Sequence, residues 1–283
     1  MPGNLPCATL PQRKEKDMDP TGKIAIVTGG GSGIGRAASV ALAQAGASVV
    51  VADMNETGAA ETVRLIQKSG GAATPITVDV RNRDDLDRMV AFAGETLGGL
   101  DILYNNAGVG TPNPRYPAAS PADWDRTLMV DLWAVIAGTQ AAVPALKQRG
   151  GGVIINTASV AGLIAYAPDP IYAAAKHGVV GFTRSLQHLL PEANIRVNCV
   201  CPGVVDTPMV RFEDRNLTAE EKAQRDALLK TMPLMAPETI ADAVLELIRD
   251  DSLNGVAMAV TYGRPPRLVD QPFRFRTDPA QGQ

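Results

Sequence analysis

The sequence predicts an α/β protein of the Rossmann type: a doubly wound parallel sheet forming a single domain, with a helical lid over one end. Three observations carry that prediction. Short β-branched runs alternate with amphipathic stretches of helical length, the pattern of repeated βαβ units. Runs such as Ile24-Ala-Ile-Val27 and Val49-Val-Val51 are almost continuously apolar, as strands covered on both faces require. A glycine-rich turn, Thr28-Gly-Gly-Gly-Ser-Gly-Ile-Gly35, follows the first run and opens the first helical pattern.

The apolar runs place strands at 23–28, 48–52, 73–78, 100–105, 153–157, 195–200 and 256–261. Between them, helical periodicity predicts 34–45, 56–68, 84–97, 121–147, 171–190 and 237–249. If the first three strands form one mononucleotide-binding half, right-handed crossovers give the order 3-2-1-4-5-6-7. Ligand then belongs at the carboxyl ends of strands 1 and 4. Two segments escape the alternation. Residues 206–236 are long and mixed in charge, which suggests the lid, and 264–283 carry four prolines and read as an irregular tail. Residues 1–20, with Pro at 2, 6, 11 and 20 and a mixed charge run at 13–17, read as a flexible leader with no signal-peptide core. One domain over 21–263 remains.

Composition narrows the partners. A net charge of -3 supplies no basic field for a phosphate backbone, so nucleic acid is not expected, and nothing in the sequence calls for a membrane. The three cysteines, at 7, 199 and 201, are an odd number that suits a reducing cytoplasm. Cys199 and Cys201 would share one strand face as a buried pair, and no further ligand at metal spacing accompanies them.

The glycines of the turn allow a pyrophosphate to approach backbone N–H groups at a helix N-terminus, where the dipole favours negative charge. Asp53 ends the second strand and is placed to accept hydrogen bonds from an adenosine ribose. Its neighbour Met54, and Ser32 in the turn, bring no cation for a 2′-phosphate, so the expected cofactor is NAD rather than NADP. Farther on, Ser159 ends the fifth strand, and Tyr172 and Lys176 stand four apart on the next helix, on one face. A phenol is a poor base at neutral pH, but a neighbouring ammonium favours phenolate and brings Tyr172 toward general acid/base duty. Ser159 would hold the substrate oxygen, and Lys176 would also hold the nicotinamide ribose.

From about Thr21 to Gly263 the chain resembles the short-chain dehydrogenase/reductase family. The likeness rests on Thr28 to Gly35, Asp53, Asp79-Val80, Asn105-Asn-Ala-Gly108, Ser159, Tyr172, Lys176 and Pro202-Gly-Val-Val-Asp-Thr207. The resemblance implies hydride transfer between NAD and a secondary alcohol or its ketone, with Ser159, Tyr172 and Lys176 as the catalytic set. It assigns Gly29, Ser32, Gly33, Ile34, Gly35, Asp53 and Met54 to the cofactor, with Asp79 and Val80 flanking the adenine. Asn106, Ala107 and Gly108 then line the ribose and stabilise the sheet, and Pro202, Gly203, Val205 and Thr207 hold the nicotinamide end. It also implies a homodimer or homotetramer, paired through the helix beginning near Pro121 and the helix bearing Tyr172.

Within the family, 176–184 and 250–255 are similar to the 15-hydroxyprostaglandin dehydrogenase branch, which oxidises lipid-like alcohols. Two departures stand out: Asp169 where that branch commonly has Gln, and Asp131, in Val130-Asp-Leu132, where the family usually places Asn. Asp131 either anchors the water of the proton relay, as that Asn does, or pairs as a buried carboxylate with Lys176. His177 and His188 read as structural. Met209, Met232 and Met235 pack the lid or, with Val109, Tyr166, Pro168 and Ile171, form a flexible wall for an apolar substrate. Two other functions compete: a catalytically silent NAD-binding sensor or scaffold, which would not need all three catalytic side chains, and an epimerase or dehydratase, which needs a longer substrate region.

Overall fold

The computed structural model describes residues 18–112, 116–211 and 218–270. Its strands are β1 (Ile24–Thr28), β2 (Ser48–Asp53), β3 (Ala72–Thr77), β4 (Ile102–Asn105), β5 (Gly152–Thr157), β6 (Ile195–Pro202), β7 (Ala257–Val260) and β8 (Arg267–Leu268). Its helices are α1 (Gly33–Gln44), α2 (Glu56–Lys68), α3 (Arg83–Leu97), α4 (Pro121–Leu128), α5 (Ala134–Gln148), α6 (Pro170–Ser185), α7 (Leu189–Ala193), α8 (Pro208–Arg211), α9 (Ala219–Thr231) and α10 (Pro237–Arg249). One sheet runs β3-β2-β1-β4-β5-β6-β7-β8, parallel as far as β7, with β8 antiparallel at the edge.

The sheet is covered on both faces, which is why its strands are apolar on alternate and intervening positions alike. On one face α1, α2 and α10 pack over Ala25, Val27, Val49 and Val51. On the other, α3 and α5 pack over Ile26, Val50 and Leu103, and α6 covers Cys199 and Cys201. Full burial of a valine contributes about 1.5–3 kcal/mol, so the β2 run Val49, Val50 and Val51 is a large local commitment to the centre of the sheet. Helix starts follow local chemistry: Asn55 and Asn82 cap α2 and α3, and Ser120 and Asp123 form a reciprocal capping box before α4, with Pro121 at its first position.

The structure departs from the sequence expectations in four places. The helix expected over 121–147 is interrupted by a π-helical turn, Met129–Trp133, which contains Asp131. This run of 28 residues is long and apolar enough, by composition, to cross a membrane, yet Ala137, Ala142 and Leu146 are buried against the sheet. The helix expected over 171–190 ends at Ser185, and α7 follows separately. The tail is not irregular throughout, since Arg267–Leu268 adds an eighth strand to β7. The leader is not loose to residue 20: Met18 N donates to Arg249 O at 3.0 Å, and Pro20 is buried. The rest of the expected leader, with Cys7, and the tail beyond 270 lie outside the described residues, as do 212–217 of the lid. The described part of the segment expected to be a lid is helical at α8 and α9.

Candidate active site

The carboxyl ends of β1, β2, β4, β5 and β6 gather the residues that the sequence singled out. Gly29 and Gly33 take positive φ of 64° and 51°, backbone that L side chains rarely adopt. A β-carbon at 29 would stand 2.9 Å from Ala107 Cα, and one at 33 would stand 3.0 Å from Thr207 Cγ2. The turn therefore lies between the loop after β4 and the start of the lid. Ser32 is the N-cap of α1 without closing its side chain onto the helix, so the first N–H groups have no side-chain cap. Gly35 packs against the backbone of Gly29, and Ile34 against the core.

Asp53 reaches the same turn. Its Oδ2 accepts from Gly31 N at 2.8 Å and its Oδ1 from Asn55 N at 2.8 Å, while the next side chain, Met54, is 68% exposed. The neighbourhood does hold a cation, contrary to the sequence reading: Arg36, one turn into α1, donates to Gly31 O and, at 3.0 Å, to Thr62 Oγ1. Helical periodicity, not adjacency, brings it back to the turn. Asp79 pairs with Arg81 at 2.6 Å at the rim, its carboxyl held below the usual range by the guanidinium, and Val80 points inward near Ala107.

The loop after β4 is tied down by hydroxyl and amide bonds. Thr28 Oγ1 accepts from Asn106 N at 2.9 Å and Ala107 N at 3.1 Å, and Asn106 Nδ2 donates to Thr28 O at 3.0 Å. Asn105 donates to Asn156 at 3.0 Å, and Asn156 to Thr183 of α6 at 3.0 Å, so β4, β5 and α6 share one buried polar line.

Ser159 caps a short 3₁₀ turn after β5, accepting from Ala161 N at 3.1 Å, and its hydroxyl faces Pro202 O at 3.5 Å. Tyr172 stands on the first turn of α6 with the Ser159 hydroxyl against its phenol and Lys176 Nζ 5.5 Å from its ring centroid. Lys176 is 2% exposed and donates to Thr157 O at 3.0 Å. Asp131, fully buried, lies 3.0 Å from Lys176 Nζ and accepts from Val109 N at 3.3 Å on both oxygens. Asp131 thus makes a direct ion pair with Lys176.

That pair changes the electrostatics expected of the phenol. Burial opposes the charge on Lys176, but Asp131 and Tyr172 beside it hold the ammonium above its usual value. Burial raises Tyr172, Lys176 lowers it, and Asp131 raises it again; the net direction in the free protein is up. The lysine's help is therefore partly cancelled by its own partner.

Val205 bridges to Met235, Gly203 N donates to Val260 O at 2.8 Å, and Thr207 begins the turn into α8. Met209 reaches back over Gly108, whereas Met235 is buried in the core rather than lining a wall. His177 and His188 bond carbonyls of their own helical segment, Ala173 O and Ser185 O. The Cys201 thiol is pushed up by its contact with Cys199 and by burial, which makes it inert as a nucleophile. Sequence reasoning missed Thr157, whose contribution is a backbone carbonyl, and Thr111, whose N–H meets Asp169 Oδ2 at 3.0 Å.

The likeness to known proteins agrees with this arrangement. A family model described as short chain dehydrogenase matches residues 23–218. The chain is 38% identical over 276 residues to mouse 15-hydroxyprostaglandin dehydrogenase [NAD(+)], covering 90% of this chain and 99% of that protein. It is 41% identical over 255 residues to 3beta-hydroxysteroid dehydrogenase 2 of Eggerthella lenta, covering 86% and 94%. A short chain dehydrogenase/reductase from Burkholderia phymatum, solved in complex with NAD, superposes with a TM-score of 0.73 at 31% identity, covering 82% and 87%. With a phenol, a lysine and a serine gathered beside the glycine turn, and relatives matched over nearly their whole length, the chain belongs to the short chain dehydrogenase family.

Proposed function

We propose that the protein is an NAD-dependent dehydrogenase of apolar secondary alcohols, equally a reductase of their ketones, with Tyr172 as its general acid/base. The observation that carries this is the placement of Tyr172 between Ser159 and Lys176 at the same sheet end as the glycine turn and Asp53. The turn suits a dinucleotide: added β-carbons at 29 and 33 would crowd the strip between Ala107 and Thr207, and the N-terminus of α1 has no side-chain cap. When bound, NAD supplies the hydride acceptor and a positive ring charge beside the phenol.

In the oxidation direction Ser159 donates a hydrogen bond to the alcohol oxygen and Tyr172 phenolate takes its proton. Lys176 holds the phenolate form electrostatically and is itself fixed by Thr157 O and Asp131. Gly29, Ser32, Gly33, Ile34 and Gly35 form the phosphate side of the cradle and Asp53 the ribose end, with Met54, Asp79 and Val80 around the adenine. Asn106, Ala107 and Gly108 form its floor, and Pro202, Gly203, Val205 and Thr207 the nicotinamide end. An apolar substrate is supported by Met209, which lies over Gly108, by the exposed Ile164 and Tyr166 between Ser159 and Tyr172 in the chain, and by the steroid and prostaglandin relatives.

Incubation with NAD and a panel comprising 2-octanol, 1-phenylethanol, cyclohexanol and a hydroxysteroid, followed by NADH absorbance, tests the reading. Turnover of none of them would remove the enzyme assignment and leave a silent NAD-binding protein of the same fold.

Asp53 sets the cofactor. A carboxylate about 4 Å from a 2′-phosphate costs about 4 kcal/mol at an effective dielectric constant near 20, and Arg36 offsets part of this. In ketone reduction kcat/KM for NADH is expected to exceed that for NADPH by about a hundredfold. Asp53→Ser leaves Arg36 in place and should narrow the preference to about tenfold or less. Comparable native values for the two cofactors would refute the assignment.

Pairing into a homodimer or homotetramer completes the proposal. It is supported by Ile136, an exposed apolar side chain on the long helix over 121–148. The free, buried thiols of Cys199 and Cys201 suit the cytoplasm as its compartment.

A further inference from the structure

Asp169 is a buried carboxylate that the reaction leaves without a task. It is 6% exposed, and its two oxygens serve two different elements. Oδ1 accepts from Tyr172 N at 3.1 Å, capping α6, and Oδ2 accepts from Thr111 N at 3.0 Å, in the loop after β4. Thr111 is itself buried, with its hydroxyl 3.2 Å from that of Thr127 on α4. Two residues earlier, Val109 N donates to Asp131, the partner of Lys176. The stretch from Val109 to Thr111 is therefore held at two backbone N–H groups by two carboxylates, one paired with the catalytic lysine and one capping the helix of the catalytic tyrosine.

This stretch borders the reacting space. It continues from Gly108, where a β-carbon would stand 2.8 Å from Asp131 Oδ1, 3.6 Å from Lys176 Nζ and 3.7 Å from Met209 Cε of the lid. It forms the side of the site between the ion pair and the lid. A secondary carbinol carbon carries one hydrogen and two different substituents, and which substituent faces this side decides for which enantiomer that hydrogen points at the hydride acceptor.

We propose that Asp169 is a positioning residue that fixes this wall against Tyr172 and so sets which enantiomer of a secondary alcohol reacts. The inference rests on the dehydrogenase reading above. Only a carboxylate meets both demands: Asn turns one acceptor into an NH₂ group facing an N–H, and Ser accepts one N–H as a helix cap but cannot also accept from Thr111 N. Displacement of a reacting group by about 1 Å costs about a hundredfold in rate, so release of the wall should erode discrimination on that scale.

The measurement is the ratio of kcat/KM for the R and S forms of 2-octanol and of 1-phenylethanol, in native protein and in Asp169→Ser and Asp169→Asn. A ratio of two rates on one sample does not depend on how much of the sample is folded, so lost stability cannot imitate the effect. The native protein is expected to favour one enantiomer by about thirtyfold or more, and both variants to lower that ratio by about tenfold while NAD affinity stays within about threefold. If neither variant folds, Thr127→Val, which removes the hydroxyl facing that of Thr111 and keeps the Asp169 bond to Tyr172 N, should lower the ratio by about threefold. Native discrimination with an unchanged ratio in the folded variants overturns the inference alone, and so does a native ratio near one. Failure of the native protein to oxidise any alcohol removes the dehydrogenase reading and this inference together.

Discussion

Replacement of Tyr172 by Phe is expected to lower alcohol turnover by about 10²–10⁴ while NAD affinity changes little, because loss of one general acid/base group costs that much. The substitution is narrow in this structure. Asp169 caps α6 through the backbone N–H of residue 172, which Phe retains, and the ring that lies beside Lys176 Nζ is kept. Lys176 also keeps Thr157 O and Asp131. Only the phenolic oxygen leaves, and with it the group placed to exchange a proton with an oxygen held by Ser159. Single-turnover NADH formation, with NAD binding followed by titration on the same sample, separates chemistry from binding. Turnover within about tenfold of native would place the acid/base elsewhere.

Much of this site was legible because its parts are local in sequence. The glycine turn, Asp53 at a strand end and the Tyr172–Lys176 spacing each sit inside one element or at one junction, and a strand buried on both faces declares itself by its apolar run. What escaped was set by distance or by backbone. Arg36 returns to the turn through one helical turn of α1, and Asp169 meets Thr111 across 58 positions. The role of Thr157 lies in its carbonyl, which no side-chain pattern announces. The π-helical turn around Asp131 is a local change in hydrogen bonding inside a run whose apolar periodicity continues through it. The strand Arg267–Leu268 is two exposed residues long, too short for any alternation to show.

Asp131 gives the remaining large effect, because both ends of its ion pair are removed from water. Asp131→Leu leaves the Lys176 ammonium buried beside a hydrocarbon, and breaking a buried pair on one side costs about 3–5 kcal/mol. Thermal denaturation is expected to fall by roughly 10 °C for that variant. Asp131→Asn also removes the charge but retains an oxygen for Val109 N or Lys176, so it should lose less stability than Asp131→Leu and keep most of the activity. Its signature is in the pH profile. In the native protein burial raises the phenol, Lys176 lowers it and Asp131 raises it. Removal of the carboxylate charge leaves the ammonium unopposed, so the phenol titrates lower. Phenolate is the active form in alcohol oxidation, so activity rises with pH through this titration, and the rising limb should move to lower pH in Asp131→Asn. A limb that stays in place or moves up would mean that the phenol does not feel the Asp131 charge, and that this residue acts only by holding Lys176 and Val109 in position.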